Sequence, residues 1–345
     1  KIAESGSGDV IDATGLIAIP GLTDIHFHGC MRHDFCDGTT EAIQTLADYE
    51  LSVGVTTICP ATMTFSEEIL AGIMKAAASY ENKTGAELVG INMEGPFISP
   101  AKKGAQHGIY IHNPDVAMFR RLQEISGVLI KLCYIAPETE GSMEFIDELK
   151  DEVGISIAHT TADYDIAKEA YDRGARHATH LYNAMPPFSH RAPGVIGAAC
   201  DSDHVRVELI CDGVHLHPAT VRTTFKMFGD DRICLISDSM MATGLSDGDY
   251  SLGGQPVKVV GNLATLADGT IAGSATNLMD CMSNAVKKMG IPLGSAVKCA
   301  AVNPAKAIGI YDTYGSITPG KKANIVLLDQ DLNMKHLIFK GELQK

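Results

Sequence analysis

The stretch Pro20-Gly21-Leu22-Thr23-Asp24-Ile25-His26-Phe27-His28-Gly29 sets the terms on which the rest of the chain is read. In an extended strand side chains alternate faces, so Leu22, Asp24, His26 and His28 share one face while Thr23, Ile25 and Phe27 share the other. Two imidazoles therefore point the same way, and Gly29 ends the strand where a ligand or another backbone can come close. Period-two spacing aims both ring nitrogens at one point, as half of a metal site would require; the plainer alternative is a pair of hydrogen-bonded polar residues. The pair alone does not choose between these, so the decision passes to whatever ends the other apolar runs.

Those runs are Leu22–His28, Val55–Pro60, Leu88–Glu94, Val128–Ala136, Ile155–His159, Ala175–His180, Val205–Asp212 and Ile233–Asp238, the number a (β/α)8 TIM barrel requires. Helical patterns lie between most of them. Thr64 and Glu67 fit a capping box ahead of a stripe of Ile69, Leu70, Ile73, Met74 and Ala77, and Asp163–Arg173 and Pro218–Phe228 read similarly. Strand and helix in alternation imply parallel pairing. Both ends of the chain differ: Val10–Ile19, Ala323–Asp329 and Lys335–Lys340 are short β-like runs, which predicts a small β-sandwich domain built from both termini. The expected division is residues 1–19 and 317–345 in that domain and 20–316 in the barrel. A Gly- and Val-rich segment between Gly244 and Ile271 reads as a hairpin inserted after the eighth strand, with helical pattern resuming from Asn277 to Ile310.

Composition narrows the class. The 345 residues are 45% hydrophobic and 20% charged, an ordinary globular balance, and the net charge of −14 opposes a phosphate backbone or an anionic membrane surface. Neither a nucleic acid nor a membrane is an expected partner. Nine cysteines without a C-x-x-C pair read as scattered thiols in a reducing cytoplasm. The abrupt polar start, Lys1 to Gly8, leaves room for a missing N-terminal piece.

In a barrel the carboxyl ends of the strands face the active site, so polar residues there read as chemistry. The runs end in His26 and His28, in Glu94, in His159, in His180 and in Asp238. Singly, each has a structural reading: a hydrogen-bonded core histidine for His159 or His180, a turn cap for Glu94, a helix cap for Asp238. Jointly, imidazoles and carboxylates from five strand ends form a ligand set for one or two divalent cations and a bound water.

At these residues the chain resembles the amidohydrolase superfamily, and within it the N-acetylglucosamine-6-phosphate deacetylase family. The likeness is carried by Met93-Glu94-Gly95-Pro96-Phe97, His177-Ala178-Thr179-His180-Leu181-Tyr182-Asn183-Ala184-Met185-Pro186, Cys211-Asp212-Gly213-Val214-His215 and Ser237-Asp238, and it runs to Gly320–Val326. The resemblance implies that Glu94, His159 and His180 hold the main metal and that Asp238 is the acid/base. It implies that His107, in Lys103-Gly104-Ala105-Gln106-His107, contacts the substrate carbonyl, and that Asn183, Ala184, His215, Asn277, Leu278 and Met279 contact the sugar phosphate. Arg191 matches an arginine that family members insert into a neighbouring subunit's site, which makes a homodimer the expected assembly. Because His26 and His28 stand where some members carry amides, the resemblance favours a second metal, with Glu94 as bridge. Zinc or iron suits the ligands best, and manganese or cobalt is admitted.

The implied reaction is hydrolysis of the N-acetyl group of N-acetylglucosamine 6-phosphate to acetate and glucosamine 6-phosphate. Two rivals share parts of this reading. One is another metal-dependent amidohydrolase without phosphate contacts; the other is an inactive barrel used as a binding scaffold, against which the complete ligand set counts.

Overall fold

Parallel pairing follows once each apolar run is answered by a helix with one buried stripe, because strand and stripe each need the other's cover. In the computed structural model, which describes residues 10–344, the barrel strands are β1 (Leu22–Asp24), β2 (Val55–Ile58), β3 (Ile91–Met93), β4 (Ile130–Ile135), β5 (Gly154–Ile157), β6 (His177–Ala178), β7 (Arg206–Ile210) and β8 (Ile233–Ile236). Each is followed by a helix, in order α1 (Thr40–Ser52), α2 (Glu67–Ser79), α3 (Val116–Ile125), α4 (Ser142–Leu149), α5 (Tyr164–Arg173), α6 (Gly194–Cys200), α7 (Pro218–Phe228) and α8 (Leu278–Lys287). These are the eight predicted runs, all shortened at their carboxyl ends where the backbone turns out of the sheet; the third, fourth, sixth and seventh also begin later than expected, and Leu88 of the third belongs to a separate short strand, Glu87–Leu88, that pairs with β2.

Strands β3 to β8 form one parallel sheet, and β1 pairs with β2 in a second. The two join through Asn92 N–H to Pro60 O (2.9 Å) and Thr62 N–H to Asn92 O (2.9 Å). On the far side Asp238 N–H donates to His26 O (2.9 Å) and His28 N–H to Ser239 O (2.7 Å), which closes the ring at the level of the site. Inside it Ile25, Cys59, Leu132, Ile210, Cys234, Ile236 and Ile308 form a separate apolar plug.

The capping box expected from Thr64 and Glu67 does not form. Ser66 caps α2 by accepting from Ile69 N–H, while Thr64 N–H donates to Gln106 Oε1 (2.7 Å), so Thr64 belongs to the mouth of the barrel. Ile69 leaves the stripe for the surface, and Leu70, Ile73, Met74 and Ala77 stay buried.

Both ends of the described chain meet in one four-stranded antiparallel sheet, Ile17–Pro20, Ile325–Leu328, Met334–Phe339 and Glu342–Leu343 in that order. Residues 1–9 of the predicted small β domain lie outside the described residues. The insertion after β8 is a three-stranded antiparallel sheet, Gly248–Leu252, Gln255–Val260 and Leu263–Thr265, one strand more than the expected hairpin. It packs Leu252, Val257, Val259 and Ala264 against Met63, Met240 and Ala242, which roofs one side of the mouth. No helix among the described residues is long and apolar enough to cross a membrane.

One buried carboxyl has no role in holding the ring together. Glu50, on α1, is fully buried, and neither of its oxygens has a hydrogen-bond partner. Burial, with the nearby charge of Asp24, raises its pKa well above the usual carboxylate range. A raised folded-state value means the folded protein holds a proton that the unfolded chain releases. The associated stability is present below the ordinary glutamate range and is lost as pH rises above it. Glu50→Gln is therefore expected to match the native protein near pH 4.5 and to exceed it in Tm at pH 8, in line with the roughly 1–3 kcal/mol cost of an unsatisfied buried polar group. Thermal unfolding of both proteins across that range checks this, and a Tm difference independent of pH would refute it.

Candidate metal centre

The strand ends converge as the alternation in Leu22–Gly29 requires. Glu94, His159 and His180 each offer a ligand atom within 4.8 Å of the others, and so do His26, His28 and Asp238; all six residues are buried. Glu94 joins the two sets. Its Oε1 lies 2.9 Å from His159 Nε2 and its Oε2 2.9 Å from His26 Nε2 and 3.4 Å from His28 Nε2. Asp238 Oδ1 is 3.4 Å from His28 Nε2 and 3.6 Å from His26 Nε2.

Three of these residues hold backbone conformations that side chains other than glycine seldom adopt: φ is 45° at His159, 27° at His180 and 50° at Asp238. Each stands where its strand ends and the chain must turn sharply while still aiming the side chain inward. Local strain of this kind, on the order of 1–3 kcal/mol per residue, persists where the surroundings over-determine it, as they do in functional sites.

Hydrogen bonds behind the ligands orient the rings. His26 Nδ1 faces Glu208 Oε2 (2.9 Å) and the Tyr134 hydroxyl (2.8 Å), and Asn92 Nδ2 donates to that hydroxyl (2.7 Å). Glu208 also accepts from His180 N–H (3.0 Å) and meets His177 Nε2 (2.9 Å). Burial opposes ionisation of Glu208, but the charges of His26 and His177 overcome it and leave its pKa at about 2. His159 Nδ1 donates to Lys102 O (2.8 Å). With Nδ1 so engaged, Nε2 is the nitrogen that His26 and His159 turn to the centre and would offer to a cation.

That arrangement calls for positive charge between the groups. Nε2 of His26 and Nε2 of His159 each lie 2.9 Å from an oxygen of Glu94, and the Nε2 atoms of His159 and His180 lie 3.1 Å apart. Against the opposing effect of burial, the neighbouring imidazoles hold Glu94 well below its ordinary pKa and Asp238 below its own. Burial and His159 push His180 down to about 4, which keeps its imidazole neutral and ready to ligate. The donors are two imidazoles and one carboxylate in each set, a composition that suits zinc or iron. The residues present fit one or two divalent cations.

The mouth opens into a pocket of about 370 Å³. Glu94, His159, His180, His28 and Asp238 form its floor, with Asn183, Ala184 and His215 on one wall and Leu252, Thr270, Ile271 and Gly273 on another. His215 Nδ1 is 2.8 Å from Asp212 Oδ2; burial disfavours its charged form, but the carboxylate prevails and raises its pKa.

Other predicted contacts lie elsewhere. His107 is not in the wall: its ring packs beside Phe65 and Tyr110 at centroid distances of 5.9 and 6.0 Å, while Gln106 lines the pocket and donates through Nε2 to Glu94 Oε1 (2.8 Å). Asn277 caps α8 by accepting from Asp280 N–H (2.9 Å), and Leu278 and Met279 are buried in the main core. Arg191 sits on an exposed loop, with a guanidinium nitrogen 2.6 Å from His190 Nε2. Sequence reasoning passed over Glu208, Tyr134 and Gln106. Glu208 had a signal, a carboxylate in the middle of the apolar run Val205–Asp212.

Comparison with known proteins agrees with this geometry. The chain matches the amidohydrolase family over residues 17–343. It is 38% identical over 333 residues to the N-acetylglucosamine-6-phosphate deacetylase of Bacillus subtilis (strain 168), covering 95% of this chain and 84% of that one. It is 32% identical to the N-acetylgalactosamine-6-phosphate deacetylase of Escherichia coli O157:H7, over 94% of this chain and 86% of that one. Among solved structures, an aspartate-to-alanine mutant of N-acetyl-D-glucosamine-6-phosphate deacetylase from Mycobacterium smegmatis, in complex with N-acetyl-D-glucosamine-6-phosphate, superposes with a TM-score of 0.91 at 34% identity, covering 95% of this chain and 87% of that one.

Replacing the carboxylate that joins both ligand sets is expected to remove metal from both. Glu94→Ala should lose most of the bound divalent metal by elemental analysis while His107→Ala retains it; full metal content in Glu94→Ala would show that the two sets do not depend on this residue.

Proposed function

The chain belongs to the amidohydrolase family, and from that premise we propose that it hydrolyses the N-acetyl group of N-acetylglucosamine 6-phosphate to acetate and glucosamine 6-phosphate, a step of amino-sugar breakdown. The observation that carries this reading is the meeting of Glu94, His159, His180 and Asp238 at one pocket, in a chain that aligns with a deacetylase of that substrate over 95% of its length.

Glu94, His159 and His180 would hold the principal cation, zinc or iron, and His26, His28 and Asp238 suit a second beside it, with Glu94 between them. The chemistry supplied when such a cation is bound is acidification of a water, to a pKa of about 7, and polarisation of an acyl oxygen. Asp238 performs the proton work. The imidazole charges keep it ionised against the pull of burial, so it can take a proton from the attacking water. Once the tetrahedral intermediate forms, the same carboxyl returns that proton to the leaving amine, without which the C–N bond would expel a poor leaving group.

Gln106 presents an amide at the wall where the acyl group would sit, and it takes the place the resemblance gave to His107. Asn183, Ala184 and His215 line the side suited to the sugar phosphate, where His215 is cationic once protonated beside Asp212, and Lys102 also lines the pocket. A phosphate held there contributes binding energy remote from the scissile bond, so a substrate without it loses rate as well as affinity. Arg191 is exposed and outside this pocket's wall, which agrees with its reaching a neighbouring subunit's site in a homodimer. A cytoplasmic setting completes the reading, in keeping with nine cysteines that are all free thiols. The galactosamine relative makes the C4 epimer a second substrate to consider.

Acetate release from N-acetylglucosamine 6-phosphate, its galactosamine epimer and the unphosphorylated sugar, with metal measured on the same sample, tests the activity; indifference to the phosphate would refute it. Asp238→Asn is expected to lower kcat by about 10²–10⁴-fold with the principal metal retained, the range general acid–base catalysis supplies. Gln106→Ala should lower kcat/KM by at least tenfold, with His107→Ala nearer to native; the reverse order would restore His107 to the substrate. Arg191→Ala should harm the phosphorylated substrate far more than the unphosphorylated one, and equal losses would remove it from phosphate binding.

A further inference from the structure

The end of the barrel opposite the metal centre carries charge of the other sign. A pocket of about 290 Å³ there is lined by Lys131 near the start of β4, Gly154 at the start of β5, Arg176 just before β6, Arg206 at the start of β7 and Lys306 on the helix Asn303–Ala307. Arg176 and Arg206 come from adjacent strand starts, tied by Arg206 N–H to Arg176 O at 3.0 Å. A Cβ at Gly154 would lie 2.8 Å from Leu132 Cδ2 and 2.9 Å from Lys131 O, so this edge of the pocket admits only glycine without a shift of the backbone beside it.

These cations are not answered by the protein. Among the described residues none of the four forms an ion pair, and Arg206 Nε is buried without a hydrogen-bond partner. Glu152, the acid in the wall, is engaged by Arg120 at 2.8 Å. Lys131 Nζ donates weakly to Val128 O (3.3 Å), and Lys306 Nζ lies 5.0 Å from the centre of the Tyr311 ring. Burial and the like charge of Arg206 lower the pKa of Arg176, and the charge of Asp151 offsets this only in part. In a chain of net charge −14, two arginines that line one pocket and form no ion pair among the described residues are a local exception.

We propose that this amino-terminal mouth of the barrel is an anion site that takes a phosphate group, as inorganic phosphate or a phosphomonoester, between Arg176 and Arg206. Two planar guanidiniums offer paired N–H donors that match phosphate oxygens, whereas a monovalent halide would leave most of them unused. The volume admits more than a bare ion. The site lies away from the reacting atoms, at the barrel face associated with stability, so its occupant braces the starts of β4 to β7 and leaves the chemistry alone.

Equilibrium dialysis of the metal-loaded protein against inorganic phosphate at low ionic strength tests this. The native protein should bind one equivalent more than Arg176→Gln/Arg206→Gln, with Arg206→Lys retaining part of the affinity, and phosphate should raise the native Tm more than that of the double variant. Deacetylation assayed without added phosphate should agree within twofold between native and double variant, so loss of the site is separable from failure of the proposed activity. Displacement of the extra equivalent by glucosamine 6-phosphate would identify a sugar ester as occupant, and resistance to it would leave inorganic phosphate. Equal phosphate stoichiometry in the native and double-variant proteins would overturn the proposal.

Discussion

Glu94 touches three imidazoles from two strands, and the rest of the mouth is arranged to let that carboxylate stay charged and dry. Burying an ionised carboxyl costs several kcal/mol unless opposite charge is fixed beside it. Here the opposite charge comes from His26 and His28, with a hydrogen bond to His159 beside it, and the rings are aimed by groups behind them: Glu208, Tyr134 and Asn92 for His26, the Lys102 carbonyl for His159. Remove the outer groups and the imidazoles can rotate; remove Glu94 and the rings lose the carboxylate they face. Left-handed backbone at His159, His180 and Asp238 is tolerated because ring closure and these hydrogen bonds hold the strand ends in place.

The barrel separates two kinds of charge by the length of its strands. Acidic and imidazole groups gather where the strands end, and unpaired cations gather where several of them begin. Between the two lies the buried apolar plug of Ile25, Cys59, Leu132 and their neighbours. The three-stranded insertion adds a wall that strand ends alone do not supply. Through Gln255 Nε2 donating to Ala105 O it is tied to the loop that carries Gln106.

Much of this is legible in the chain because burial on both faces leaves parallel strands as apolar runs, and only a chemical need places His26, Glu94, His159, His180 or Asp238 at their ends. Reading failed where local pattern and tertiary demand compete for the same residue. Thr64 satisfies a capping rule, yet its N–H is taken by Gln106 from a loop 42 residues away. His107 outranks Gln106 as a catalytic type, but the loop turns its ring to Phe65 and Tyr110 and leaves the amide facing Glu94. Asn277 has the marks of a polar contact and serves as the N-cap of α8.

By itself the sequence determined which residue types end each strand, the order of strands and helices, and hence the class of chemistry available, since period and apolar content are properties of neighbours along the chain. The tertiary structure alone decided which of two adjacent side chains reaches the pocket, which carboxylate stands behind His26, and that Arg176 and Arg206 line one pocket without an ion pair. Those outcomes depend on the direction of a bond vector at a loop or strand end, and that direction is set by contacts between residues distant in sequence.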